Sequence, residues 1–201
     1  MPRCYLIKME LMSWKEAYRC DLFRKKGRTK PSLLDRFCFE LRLMKLFRKA
    51  NSAYRRYVAK KSVLLKLKYR FSELRLLRFE NKFGVNLSPA TDVGLGFFVG
   101  HRGPMAINPK SKIGKNCNIG ICVTIGQENR GKRKGSPVIG DCVWIGSNAI
   151  IVGNIKIGNN VLIAPGSYVN FNVPSNSIVI GNPGKIIPSI NATESYIENL
   201  V

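Results

Sequence analysis

The chain has 201 residues, 45% of them hydrophobic, which suits one sizeable folded core with an appendage and excludes a disordered tract. No charged start leads into an apolar stretch and cleavage site, and no apolar run reaches the ~18 residues of a membrane span, so the expected compartment is the cytoplasm. The formal charge is +22 and sits at the front: from Met1 to Gly84, 24 Lys and Arg stand against 7 Asp and Glu, whereas the rest carries 10 against 5.

Residues 1–83 read as a basic α-helical region. Ser13 with Glu16 three residues on has the spacing of a capping box and opens a helix that Gly27 to Pro31 breaks. A second helix is expected from Ser32 to about Lys49 on the stripe Leu33, Phe37, Leu41 and Met44; the alternation of Phe37, Phe39, Leu41 and Leu43 leaves a strand open there. A third is expected from Ala53 to about Asn81, in one piece or two. These helices are apolar over more than one face, so they must bury against one another, the rest of the chain or other subunits. The sharper alternative is an anionic membrane surface, at the inner face of the membrane, with Leu and Phe dipping in and Arg and Lys on the headgroups. No DNA- or RNA-binding module is present, and no nucleic-acid partner is expected.

From residue 84 an aliphatic returns every sixth position. Leu87, Val93 and Val99 form one series, Ile107, Ile113, Ile119 and Ile125 a second, and Ile139, Ile145, Ile151, Ile157, Ile163 and Val169 a third. This period is neither 2 nor 3.6 and marks a parallel β-helix. Two residues before each aliphatic, small or branched side chains should also face inward: Ser111, Cys117, Val123, Val143, Ala149, Ile155, Val161 and Ser167. Gly follows the aliphatic in eight of thirteen cases, as expected where a chain corners tightly or takes a positive φ, and Asn116, Asn118, Asn148, Asn159 and Asn160 suit the same corners.

The rhythm breaks twice, and chemistry is expected at the breaks. The step from Val99 to Ile107 is eight, with the extra residues in Gly100-His101-Arg102-Gly103-Pro104; the step from Ile125 to Ile139 is fourteen, with a polar, basic loop from Gln127 to Ser136. His101 is the only histidine, set in an irregular Gly-flanked corner where an imidazole can take a proton from an attacking hydroxyl. The six cysteines match no zinc or redox spacing and read as reduced, Cys117 as an apolar filler; no metal is expected. Residues 189–201 read as a mobile polar tail.

The ordered set Val85 to His101, Ile113-Gly-Lys-Asn-Cys-Asn-Ile-Gly, Val123-Thr-Ile-Gly126, the extended loop, Pro137-Val-Ile-Gly-Asp and Gly181-Asn-Pro-Gly-Lys185 resembles the serine acetyltransferase branch of the hexapeptide-repeat acyltransferases. The resemblance covers roughly 84–188, and the front is similar to that branch's helical N-terminal region in shortened form. It implies a mainly β chain, a left-handed parallel β-helix over 84–188, assembled as a homotrimer or a dimer of trimers with active sites between subunits. His101 then matches the catalytic base and acetyl-CoA the donor, with acetyl passed directly to a hydroxyl. Thr124, Gly126, Ser147, Ala164 and Lys185 match positions that line the CoA arm.

Three departures bear on the acceptor. Asn86 stands where the branch has an aspartate that orients the imidazole, Gly100 where it has Asp before the histidine, and Gly135 and Ser136 where it has an Arg-His pair that holds serine. Gly100, Arg102 and Ser136 are thus the acceptor-side candidates, and the ionic contacts for an amino acid are missing at matched positions. The expected function is acetyl-CoA-dependent O-acetylation of a sugar hydroxyl in a capsular or other surface glycan. Serine O-acetylation for cysteine synthesis and a non-catalytic scaffold or membrane adaptor are the alternatives, and N-acetylation of an amino sugar is chemically close.

Overall fold

The computed structural model describes residues 12–201. Three helices, α1 (Trp14–Lys26), α2 (Phe39–Lys60) and α3 (Val63–Phe83), precede fifteen short strands. The Ser13 capping box forms as expected, and Gly27 closes α1 in the left-handed region at φ 64°.

The next two helices depart from expectation. Ser32 opens no helix: a 3-10 turn at Leu34–Arg36 leaves Leu33, Leu34 and Phe37 73%, 78% and 85% exposed, while Leu41 and Met44 are buried in α2. The break falls at Lys61, φ 47°, rather than near residue 50, where the helix runs on through Asn51. It lies buried inside α2, and its amide donates to the carbonyls of Pro89 (2.8 Å) and Thr91 (3.1 Å).

The remainder is a parallel β-helix of three sheets. Sheet A stacks β1 (Val85–Leu87), β4 (Met105–Ile107), β7 (Thr124–Gly126), β10 (Ile150–Val152) and β13 (Tyr168–Val169). Sheet B stacks β2 (Asp92–Val93), β5 (Lys112–Ile113), β8 (Val138–Ile139) and β11 (Lys156–Ile157). Sheet C stacks β3 (Phe98–Val99), β6 (Asn118–Ile119), β9 (Val143–Ile145), β12 (Val161–Ile163), β14 (Ser177–Ile180) and an antiparallel β15 (Lys185–Pro188). The register stacks like on like, as in Val93 beside Ile113 and Ile113 beside Ile139. Every hexad aliphatic is at most 4% exposed, and so is every residue of the second inward series. Cys117 fills one of those slots, and burial pushes its thiol up to about 12. Cys4 lies outside the described residues.

The glycines after the aliphatics serve close approach, not positive φ. None of the eight has a left-handed φ; instead a Cβ on Gly114 would sit 2.4 Å from the Gly140 carbonyl oxygen, and one on Gly94 2.5 Å from that of Gly114. The left-handed corners are taken by Asn116, Asn148 and Asn160, as expected, but also by Cys122 and Cys142.

The helices close the lower end of the stack, where the first coil's carbonyls have no coil beneath them. Arg48 of α2 donates to Val93 O (2.9 Å) and Gly94 O (2.6 Å) while its guanidinium grips Asp21 of α1 twice, at 2.7 and 2.8 Å; Asp21 also accepts from Phe97 N. Arg24 donates to Gly96 O, and Glu80 of α3 accepts from Leu87 N. Residues 189–201 run back down the wall: Asn160 bonds Thr193 and Ile190, Asn118 donates to Tyr196 O, and the Tyr196 ring packs on Trp144 at 4.8 Å. Among the described residues no helix is long and apolar enough to cross a membrane.

Candidate active site

His101 stands at the corner where the first coil passes from β3 to β4. Gly100 fixes the approach, its N–H donating to Ile119 O at 2.8 Å, and Gly103 lets the corner close over the coil above, since a Cβ there would lie 2.2 Å from Ile121 Cδ1. The His101 ring is exposed at the mouth of a cleft of about 400 Å³ whose walls come from three places. Gly100, Asn118, Gly120, Trp144 and Ser147 come from the coils, Arg24 and Lys25 from α1, and Tyr196 and Glu198 from the returning tail. Arg24 is 4% exposed and donates to Asn118 Oδ1 at 2.6 Å; Lys25 pairs with Glu40 at 3.4 Å.

Two columns run up the stack from this corner. The first follows the corner itself: the N–H groups of Gly100, Gly120, Gly146 and Ala164 each bond to the coil above, so Ser147 and Ala164 lie in line over His101. The second is on the outer face of sheet A, where the register sets Asn86 beside Ala106, Ala106 beside Thr124, Thr124 beside Ile150 and Ile150 beside Tyr168. Lys185 lies at the far end of sheet C, five strand spacings from β3, about 24 Å. A ligand lying along the axis would meet His101 at one end and a lysine at the other.

The residues singled out by sequence are only partly brought together. His101, Gly100 and Ser147 share the cleft; Thr124 and Ala164 lie in the columns, whereas Gly126 pairs with Val152 at the far edge of sheet A, beside the start of the Gln127–Ser136 loop. No hydrogen bond joins Asn86 to His101. Arg102 is turned away, its guanidinium over the Phe83 ring at 4.5 Å. Ser136 is at the opposite edge of sheet A, donating to Asn108 Oδ1 at 3.2 Å, where the loop from Gln127 to Ser136 folds on itself through Glu128 and Gly135.

Residues 136–170 match the family model described as bacterial transferase hexapeptide (six repeats). Serine acetyltransferase 4 of Arabidopsis thaliana is 34% identical over 134 residues, 61% of this chain and 38% of its own length. The Staphylococcus aureus (strain Mu50) serine acetyltransferase is 38% identical over 104 residues, 52% of this chain and 49% of its own. The crystal structure of Neisseria gonorrhoeae serine acetyltransferase in complex with serine superposes with a TM-score of 0.66 at 28% identity, over 87% of this chain and 69% of that one. Over its repeats the chain is similar to these serine acetyltransferases. It spans half or less of the length of those two curated relatives.

The cleft residues that sequence reading missed are Arg24, Lys25, Trp144, Tyr196 and Glu198. Trp144 holds an outward slot of its hexad, which six-residue spacing leaves unassigned. The others reach the corner only because α1 docks under the first coil and the tail returns over the second and third, and no spacing encodes that.

Proposed function

We propose that the chain is an acetyl-CoA-dependent O-acetyltransferase, with His101 as general base and L-serine as the first acceptor. The observation that supports it most is the position of the sole histidine, free on a glycine corner at the foot of the columns of Ser147, Ala164 and Thr124. His101 accepts the hydroxyl proton as the acceptor oxygen attacks the thioester carbonyl; the C–S bond breaks as the adduct collapses, and the imidazolium returns its proton to the departing thiolate. Thr124, Gly126, Ser147, Ala164 and Lys185 line the path of the CoA arm.

The compared relatives, all serine acetyltransferases, favour serine over the surface glycan expected from sequence. The cleft is compatible with this: Lys25 and Glu198 line it beside the buried Arg24, which gives charges of both signs near an amino acid's carboxylate and ammonium even though the family's ionic positions hold Asn86, Gly100 and Ser136. Those three uncharged positions keep a neutral sugar as the second reading.

His101 and the loop from Gln127 to Ser136 sit at opposite edges of sheet A, and a neighbouring copy supplies the loop that one chain cannot. This favours a trimer with sites between subunits. Release of CoA with L-serine, compared with a panel of sugars and glycan fragments and followed by mass spectrometry of the product, tests the reading. O-acetylserine supports it, an acetylated sugar alone moves the acceptor to the glycan, and no turnover with any acceptor overturns the enzyme.

A further inference from the structure

The outward face of α3 is unpartnered and apolar. Leu64, Leu67, Phe71 and Leu74 follow one another at steps of three and four residues, which puts them on one stripe, and they are 60%, 63%, 63% and 48% exposed. A soluble helix that packs on its own protein has one such stripe, but α3 has two, since Tyr69, Leu76 and Phe79 on the other side are already buried. Cations flank the outer stripe. Lys68, Arg75 and Arg78 stand one turn beyond Leu64, Phe71 and Leu74, and all three are exposed. The carboxylates of the helix do not face this surface freely: Glu80 is buried, and Glu73 is held by Tyr69 and Arg70.

The stripe continues into a second apolar feature. Leu33 and Phe37, on the turn before α2, share a cleft of about 660 Å³ with Arg42, Lys45, Lys49 and Arg75, and the Arg75 guanidinium lies 5.7 Å over the Phe71 ring. Arg75 therefore joins the turn to the stripe. The result is one face with exposed Leu and Phe at its crest and a basic cleft between them.

We propose that this face docks on an anionic lipid surface, Leu67, Phe71 and Phe37 entering the acyl boundary and the flanking Lys and Arg meeting headgroup phosphates. Self-pairing of the stripe across a two-fold is a poor fit, because it sets Lys68, Arg75 and Arg78 against their own kind. An acidic protein helix would match the basic flank of the stripe alone, whereas a lipid surface meets the stripe, that flank and the basic cleft together. The inference goes beyond the acetyltransferase reading and does not depend on it.

The test is co-sedimentation of the full chain with vesicles of phosphatidylcholine alone and with about a third phosphatidylglycerol, at about 0.05 M and 0.5 M salt. Binding to the anionic vesicles alone is expected, weakening with salt, and falling at least about tenfold in Leu67→Glu/Phe71→Glu and in Lys68→Glu/Arg75→Glu. Both pairs are at exposed positions, so circular dichroism and sedimentation coefficient should match the wild type. Equal binding to neutral vesicles, no binding to either, or binding unchanged in both variants overturns the proposal. So does a fall in the wild-type mass in Leu67→Glu/Phe71→Glu without vesicles, which assigns the stripe to a contact between copies, or displacement from vesicles by polyglutamate at a tenth of the lipid charge, which assigns it to an acidic protein.

Discussion

Glu80 shows how much a single buried group can be asked to tolerate. It is 5% exposed on α3, accepts one backbone N–H from Leu87 at 2.9 Å and has no cation against it, so loss of solvent pushes its carboxyl up to about 7. The folded chain thus holds a proton that the unfolded chain has released between the ordinary value of 4.5 and about 7. Stability from this group is full below that window and is lost as pH rises through it. The Glu80→Gln variant keeps the acceptor oxygen and never ionises. Thermal unfolding should place it a few degrees above the wild type at pH 8, with the gap closing by pH 5; a constant gap would mean that Glu80 does not titrate there.

At the scale of elements, one arginine fastens the helices to the coils. Arg48 is 3% exposed and bonds to Asp21 and to two carbonyls of the first coil, so Arg48→Ala leaves a buried carboxylate and two edge carbonyls unanswered. Denaturant unfolding should show a loss of about 3–5 kcal/mol; a loss below about 1 kcal/mol would show that water replaces the guanidinium. The coils were legible in the sequence because their code is local: an aliphatic every sixth residue, and a small partner two before it, specify the stack without knowledge of anything distant. The helices were less so. Leu33 and Phe37 have the spacing of a core stripe yet stand in solvent, and the break expected before Ala53 is spanned by α2, whose Asn51 is held by the carbonyls of Pro89 and Thr91. Those placements are settled by contacts across about 40 residues of sequence, which periodicity does not carry.

For the whole molecule, the separation of His101 from the loop ending at Ser136 is the consequential fact. Each lies at a different edge of sheet A, so under the proposed function a second chain would bring the loop to the His101 corner. Subunits carrying His101→Ala, co-assembled in equal amounts with subunits whose loop from Gln127 to Ser136 is replaced by a short turn, should regain about a quarter of wild-type turnover if the loop serves a neighbour. No recovery would put both parts in one chain. The cleft was legible only in part: His101 and Gly100 stand out because they interrupt the repeat, and Ser147 entered through the family resemblance, whereas Arg24, Lys25 and Glu198 come from segments that only the folded chain delivers.

The most direct measurement is the rate of CoA release from acetyl-CoA and L-serine by the wild type and by His101→Ala, with matched circular dichroism. A loss of at least about 10² in kcat is predicted, since the base is removed and the coils that carry it are untouched. Turnover equal to the wild type would contradict the assignment of the reaction to the His101 corner.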